Sequence, residues 1–116
     1  AGVLADAKAI VRAGGFPLCA LAAVTAQSTV AVDAVAALDP AVLRAQVATT
    51  AADIGLDGVK TGMLATPELV ATAAEALAAL DPSEEVPVVV DPVLRAESGA
   101  SLMAAGGEEA YRRALL

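Results

Sequence analysis

The sequence predicts an α/β fold in which a mostly parallel sheet is flanked by helices. Two observations lead to this prediction. Segments with helical spacing of apolar residues alternate with short apolar runs, and turn signals rich in glycine or Asp-Pro separate them. Strands that alternate with helices are typical of parallel sheets connected by right-handed crossovers. With 116 residues, the chain is expected to form one domain around one core.

Four segments show helical patterns, and two of them carry strong start signals. The expected helices are 3–11, 40–52, 67–80 and 108–116. Asp39-Pro40 and Thr66-Pro67 each place an N-cap side chain before a proline at the first helical position. Helix starts are therefore expected at these two prolines.

Four apolar runs are expected to be strands, at 18–25, 30–35, 59–64 and 86–90. The first run is apolar almost throughout, which favours a strand covered on both faces. Cys19, in the middle of that run, is expected to act as a small core residue. Asp91-Pro92 ends the last strand, because proline has no N–H to donate to a β-ladder.

Composition and charge exclude several classes of protein. Hydrophobic residues make up 58% of the chain and charged residues 18%, which is not the composition of a disordered chain. A net charge of −7 argues against nucleic-acid binding. The sequence has neither a membrane-spanning apolar run nor a leader pattern, and its single cysteine fits a reducing compartment, so a cytoplasmic location is expected. The lack of histidine excludes histidine-based triads and metal sites.

The candidate site residues lie where the expected strands end, at 25–27, 62–63 and 91–93. In open parallel α/β sheets, ligands bind outside these carboxyl ends. Gln27 offers a donor and an acceptor in one plane, which matches the edge of an aminopyrimidine but also suits a backbone-capping role. Met63 can lie against a flat heterocycle, or it can fill the core.

Three charged residues are also candidates for the site. Asp91 can hold Mg²⁺ through water or cap a turn. Asp6 complements the dipole of the first helix and flanks its apolar face, where it can point into a cleft. Lys60 is compatible with a phosphate contact or with an ion pair. The sequence has no P-loop and no G-x-G-x-x-G motif, so it offers few groups for phosphoryl transfer.

Four stretches together resemble the motifs of hydroxymethylpyrimidine/phosphomethylpyrimidine kinases, members of the ribokinase-like superfamily. They are AGVLADAK at 1–8, TAQST at 25–29, VKTGML at 59–64 and VDPVL at 90–94, with Ser98-Gly99 following. Each stretch alone has low specificity. The four stretches follow one another in the family's order and at plausible spacing, and they cover nearly the whole chain. Together they are therefore specific for the family.

The resemblance implies a ribokinase-like layered fold and a reaction. The reaction is ATP- and Mg²⁺-dependent phosphorylation of 4-amino-5-hydroxymethyl-2-methylpyrimidine, and then of its monophosphate, in thiamine biosynthesis. By matching position, Gln27 reads the amino edge of the pyrimidine, with Thr25 in the same motif. Met63 and Val93 line the ring pocket. Asp6 borders that pocket, and Asp91 lies near the metal and the phosphates.

The resemblance also implies parts that the chain does not contain. The family's first strand and Gly-rich loop are expected before Ala1. A GTGCT-like segment, with the anion hole and an active-site residue, is expected after Leu116, followed by the strands that hold adenine. Residues 1–116 are therefore expected to be the substrate-binding portion of one kinase domain, with no catalytic residue of their own and no kinase activity alone. The intact protein is expected to be a homodimer.

Two alternatives remain open from the sequence. One is a pyridoxal kinase, a relative that also phosphorylates a hydroxymethyl group on a flat ring. The TAQST and VKTGML stretches favour the pyrimidine kinase. The other is a non-catalytic module that retains only the pyrimidine pocket.

Overall fold

Among the described residues, four helices are separated by two consecutive strands and then by two single strands. The computed structural model describes residues 2–81, 83 and 85–116. The helices are α1 (Val3–Arg12), α2 (Pro40–Ile54), α3 (Pro67–Leu80) and α4 (Gly107–Ala114). The strands are β1 (Ala23–Gln27), β2 (Val32–Ala37), β3 (Val59–Thr61) and β4 (Val88–Val90). All four expected helices are confirmed, with ends that differ by no more than two residues. Ala1, the first residue of the AGVLADAK stretch, lies outside the described residues.

The two capping signals act as their chemistry predicts. The Asp39 carboxylate accepts a hydrogen bond from the Ala41 amide at 2.7 Å at the start of α2. The Thr66 hydroxyl accepts one from the Leu69 amide at 3.2 Å at the start of α3. Each side chain satisfies an amide that has no partner within its helix, and so fixes where the helix begins.

The strands form one parallel pair and one antiparallel pair. β3 and β4 pair in parallel, with Lys60 opposite Val89 and Thr61 opposite Val90. β1 and β2 pair antiparallel, with a bulge at Ala26/Gln27. The prediction of a parallel sheet is therefore correct for β3 and β4 and wrong for β1 and β2. The connection 28–31 is too short for the crossover that parallel strands require.

The first expected strand is shorter and more exposed than predicted. β1 starts only at Ala23, and Cys19 lies before it as an exposed thiol, so its expected core role is wrong. The backbone of Leu21 is instead held by the side chain of Gln46 on α2. Leu21 N donates to Gln46 Oε1 at 3.0 Å, and Gln46 Nε2 donates to Leu21 O at 2.9 Å. These two bonds occupy backbone groups that a β-ladder would otherwise use.

The core forms where α2, α3 and α4 pack together. Leu69 and Val70 of α3 and Tyr111 of α4 are its most deeply buried large side chains. Leu43 of α2 and Leu64, just after β3, complete its contact surface. This core lies beside the carboxyl end of β3 and supports the segment that leaves it.

Helix α1 stands apart from this core. None of its residues is buried, and within the described ranges it packs on no other helix or strand. Leu4 and Val11 on its surface are 75% and 59% exposed. Among the described residues, the contact that Asp6 makes is therefore the main one that links α1 to another element. No helix among the described residues is long and apolar enough to cross a membrane.

Candidate functional site

Asp6, Lys60 and Asp91 meet in one ion-pair cluster. The Lys60 Nζ donates a hydrogen bond to Asp6 Oδ2 at 2.8 Å and lies 3.4 Å from Asp91 Oδ2. Asp6 comes from α1, Lys60 from the middle of β3, and Asp91 from the residue after β4. One ammonium group thus joins two carboxylates that lie far apart in the sequence.

The parallel register explains why Lys60 and Asp91 are neighbours. Thr61 is opposite Val90, and the Asp91 amide donates to Thr61 O at 3.1 Å, which continues the ladder by one bond. Successive side chains of a strand point to opposite faces, so Lys60 leaves β3 on the face opposite Thr61. On that face it reaches both Asp91 and α1.

The electrostatics of the cluster favour the charged lysine. The hydrogen bond to Asp6 is the main cause that raises the pKa of Lys60 above its ordinary value of 10.5, and the Asp91 carboxylate adds to it. Partial burial acts in the opposite direction and is outweighed. Lys60 is therefore cationic at neutral pH.

The segment after β3 is fastened from the C-terminal part of the chain. The Tyr111 hydroxyl of α4 donates to Gly62 O at 2.9 Å, and the Ala104 amide donates to Ala65 O at 2.9 Å. Ala65 has a φ of 63°, a left-handed conformation that is costly for a residue with a Cβ. Met63 lies half-buried between these two anchored positions. Its backbone is therefore fixed, as a residue that lines a binding surface requires.

The segment after β4 makes a tight turn. The Val93 amide donates to Asp91 O at 2.8 Å, two residues back. Val93 is half-buried, whereas Asp91 and Pro92 are exposed. Because β3 and β4 are parallel neighbours, Met63 and Val93 both follow strand ends at the same edge of the sheet.

Thr25 and Gln27 form a second group on β1. The Thr25 hydroxyl donates to Gln27 Oε1 at 3.4 Å, a long bond that orients the amide. Thr25 is half-buried and Gln27 is exposed. Within the described ranges, no hydrogen bond or ion pair joins this group to the Asp6–Lys60–Asp91 cluster.

The structure answers one question that the sequence left open. Lys60, compatible with a phosphate contact or an ion pair, forms ion pairs. Tyr111 received no role from the sequence, yet it anchors Gly62 from inside the core. A signal was available, since Tyr111 is the single tyrosine of a chain with 2% aromatic residues. A buried tyrosine hydroxyl usually has a hydrogen-bond partner.

The oxygen ligands for a metal are few. Among the residues that the structure describes, no group of three or more cysteine, aspartate or glutamate side chains is placed to hold a metal ion. The Asp91 side chain is 53% exposed. One or two carboxylates completed by waters and substrate phosphates are a common Mg²⁺ environment, and Asp91 fits that kind of site.

Comparison with known proteins identifies relatives across the whole chain. The sequence profile of the family described as phosphomethylpyrimidine kinase matches residues 1–116. A hydroxymethylpyrimidine/phosphomethylpyrimidine kinase of Streptomyces coelicolor is 41% identical over all 116 residues, which cover 42% of that protein. A protein of the same name from Bacillus subtilis is 39% identical over 103 residues, which span 89% of this chain and 37% of the relative.

Solved structures give the same result. The crystal structure of a phosphomethylpyrimidine kinase from Clostridium difficile superposes with a TM-score of 0.86 at 32% identity, over 99% of this chain and 48% of that one. A structure described as the last common ancestor of "HMPPK and PLK/HMPPK vitamin kinases" gives a TM-score of 0.79 at 36% identity. The superposition covers 99% of this chain and 50% of that one. The expected ribokinase-like α/β fold is confirmed. The chain spans half or less of each of these relatives.

Proposed function

Because this chain belongs to the phosphomethylpyrimidine kinase family, we propose that it forms the substrate-binding portion of a kinase for hydroxymethylpyrimidines. The substrates are 4-amino-5-hydroxymethyl-2-methylpyrimidine and its monophosphate, and the pathway is thiamine biosynthesis. Residues 1–116 form one part of a single kinase domain. The donor is ATP with Mg²⁺, the intact enzyme is a homodimer, and it acts in the cytoplasm.

The parallel register of β3 and β4 is the observation that carries this proposal. It directs the segments after Thr61 and Val90 to the same sheet edge. Met63 and Val93 follow there, and Asp91, the residue after β4, shares Lys60 with Asp6. An apolar surface next to carboxylates suits a flat, uncharged ring that carries a reactive hydroxymethyl group.

In the proposed complex, each side chain has a separate task. Gln27 donates to and accepts from the amino edge of the pyrimidine, and Thr25 orients its amide. Met63 and Val93 cover the ring. Asp6 borders the pocket from α1. This division places the polar recognition on β1 and the apolar surface on the β3–β4 edge.

Asp91 is proposed to lie nearest the phosphates. Its carboxylate would hold Mg²⁺, directly or through water, and the bound ion would neutralise phosphate charge. The chain's own contribution is to hold that carboxylate in place, through the Thr61 ladder bond and the contact with Lys60.

A pyridoxal kinase is the second candidate. One observation favours it: the structure described as the ancestor of two groups of vitamin kinases is 36% identical to this chain. Both substrates present a hydroxymethyl group on a flat ring, but only the pyrimidine presents an amino group beside a ring nitrogen to Gln27.

Phosphorylation assays of the full-length protein that contains these residues test the proposal. ATP-dependent turnover of the hydroxymethylpyrimidine, and of its monophosphate, is the expected result, with kcat/KM well above that for pyridoxal. Turnover of pyridoxal without turnover of the pyrimidine would establish the second candidate instead. A folded protein that turns over neither compound would contradict both.

A further inference from the structure

We infer that Lys60 is the positioning residue of the proposed site: it ties α1 to β3 through Asp6 and directs the Asp91 carboxylate. This inference rests on the proposed function for its effect on turnover. Its structural part does not depend on that function.

Lys60 makes the side-chain link between α1 and the rest of the structure. Within the described ranges, its bond to Asp6 is the one hydrogen bond or ion pair that joins a side chain of α1 to another element. Within these 116 residues no residue of α1 is buried, so this bond is the main attachment that the chain itself gives the helix. Loss of the Lys60 ammonium therefore removes that attachment.

The same ammonium group sets the direction of Asp91. Its Nζ lies 3.4 Å from Asp91 Oδ2, and among the described residues the other carboxylate oxygen has no hydrogen-bond partner, so it can take a water or a metal ion. Without Lys60, the Asp6 and Asp91 carboxylates would lose the cation that both contact. Like charges without a cation between them repel, so both side chains would turn away.

Positioning accounts for this cluster better than stabilisation does. The Lys60 and Asp6 side chains are 33% and 37% exposed. Ion pairs with this degree of exposure contribute little to global stability. Small displacements of groups at a reacting centre, by contrast, have large effects on rate. Lys60 is therefore expected to affect turnover and the seating of α1 far more than the free energy of unfolding.

Lys60→Met and Lys60→Arg in the full-length protein test the inference. In Lys60→Met we expect kcat for the pyrimidine to fall by about a hundredfold, the effect of a displaced reacting group. Pyrimidine Kd should change less, because Gln27, Met63 and Val93 remain. Lys60→Arg keeps a cationic donor and should recover much of kcat. The control is Lys8→Met, which removes the other lysine, an exposed residue of α1, and should leave kcat unchanged.

Hydrogen exchange of the backbone amides gives a readout that does not require kinase activity. In Lys60→Met the amides of α1 should exchange about tenfold faster, while those of α2 and α3 keep their rates. Asp6→Asn should increase the exchange rate of the α1 amides in the same way. Uniformly faster exchange, or unchanged α1 exchange, would contradict the inference. If the wild-type protein lacks kinase activity, the proposed function fails, while the exchange result still decides the role of Lys60 in seating α1.

Discussion

Gln27 carries the recognition of the substrate's amino group in the proposed complex. Its side chain is exposed on β1, and its contact with a protein side chain is the long bond from Thr25. The amide thus has donors and an acceptor available for a ligand. A site that bonds a polar edge loses affinity when one partner is removed, because the other is left unpaired.

Gln27→Ala is expected to weaken pyrimidine binding by about 1–3 kcal/mol, which corresponds to roughly five- to 150-fold in Kd. Titration calorimetry on the full-length protein measures the change. Val30→Ala, in the turn beside β1, is the control, since Val30 is 79% exposed and has no proposed contact with the ligand. An affinity that Gln27→Ala leaves unchanged would remove Gln27 from the site.

Thr61 is the buried polar side chain next to the cluster. It is 7% exposed, and among the described residues its hydroxyl has no hydrogen-bond partner. Burial of an unpaired hydroxyl costs free energy, and valine has nearly the same shape without that cost.

Thr61→Val is expected to raise the free energy of unfolding by about 1 kcal/mol. Urea denaturation monitored by circular dichroism gives the value. The matched control is Thr50→Val, because the Thr50 hydroxyl donates to Gln46 O on α2 and its loss should destabilise the protein. Equal destabilisation by both variants would show that the Thr61 hydroxyl has a partner.

At the scale of elements, the helix starts were predictable and the strand partners were not. Asp39 and Thr66 cap helices through amides two or three residues away, so their signals are complete within the local sequence. The antiparallel pairing of β1 and β2 and the exposure of Cys19 depend on distant residues such as Gln46. Apolar composition alone cannot distinguish a strand covered on both faces from an exposed one.

The same contrast between local signals and distant contacts applies to the proposed site. Asp6, Gln27, Met63, Asp91 and Val93 are proposed site residues because of the motif positions that they occupy in the sequence. That Asp6 and Asp91 share Lys60 could not be predicted, because residues 6, 60 and 91 come together only through the β3–β4 register and the placement of α1.

Among the described residues, Tyr111 is the side chain of α4 that forms a hydrogen bond with the proposed site. The hydroxyl of this buried side chain donates to Gly62 O at the start of the segment that carries Met63. Burial raises the pKa of the phenol, so the hydroxyl keeps its proton and its donor role at neutral pH. The bond connects the packing of α4 against α3 to the position of the proposed ring pocket.

Tyr111→Phe is expected to lower the free energy of unfolding by about 1 kcal/mol, because the Gly62 carbonyl loses its donor. Pyrimidine affinity should fall as well, since the Met63 segment becomes less ordered. Chemical denaturation and ligand titration measure the two effects. Phe16→Leu, a change at the other aromatic residue, which is 74% exposed, serves as the control. A variant as stable and as tight-binding as the wild type would show that the bond does not position the segment.

At the scale of the molecule, the chain contains the proposed pyrimidine-binding residues and has, among the described residues, few unpaired cationic side chains that could bind the phosphates of ATP. Of its seven lysine and arginine residues, Lys60 lies in the proposed site and is paired with two carboxylates. Arg44, Arg112 and Arg113 are paired with glutamates on helices. The central claim is therefore that these 116 residues determine which ring is bound, whereas other residues of the enzyme bind the phosphate donor.

A chimeric enzyme tests this claim most directly. The segment of the Streptomyces coelicolor relative that matches this chain, 41% identical to it, is replaced by residues 1–116. Phosphorylation of the hydroxymethylpyrimidine is then measured beside ATP binding. We predict that the chimera binds ATP, phosphorylates the pyrimidine, and loses pyrimidine affinity when Gln27→Ala is introduced. A folded chimera that binds ATP but not the pyrimidine would contradict the claim.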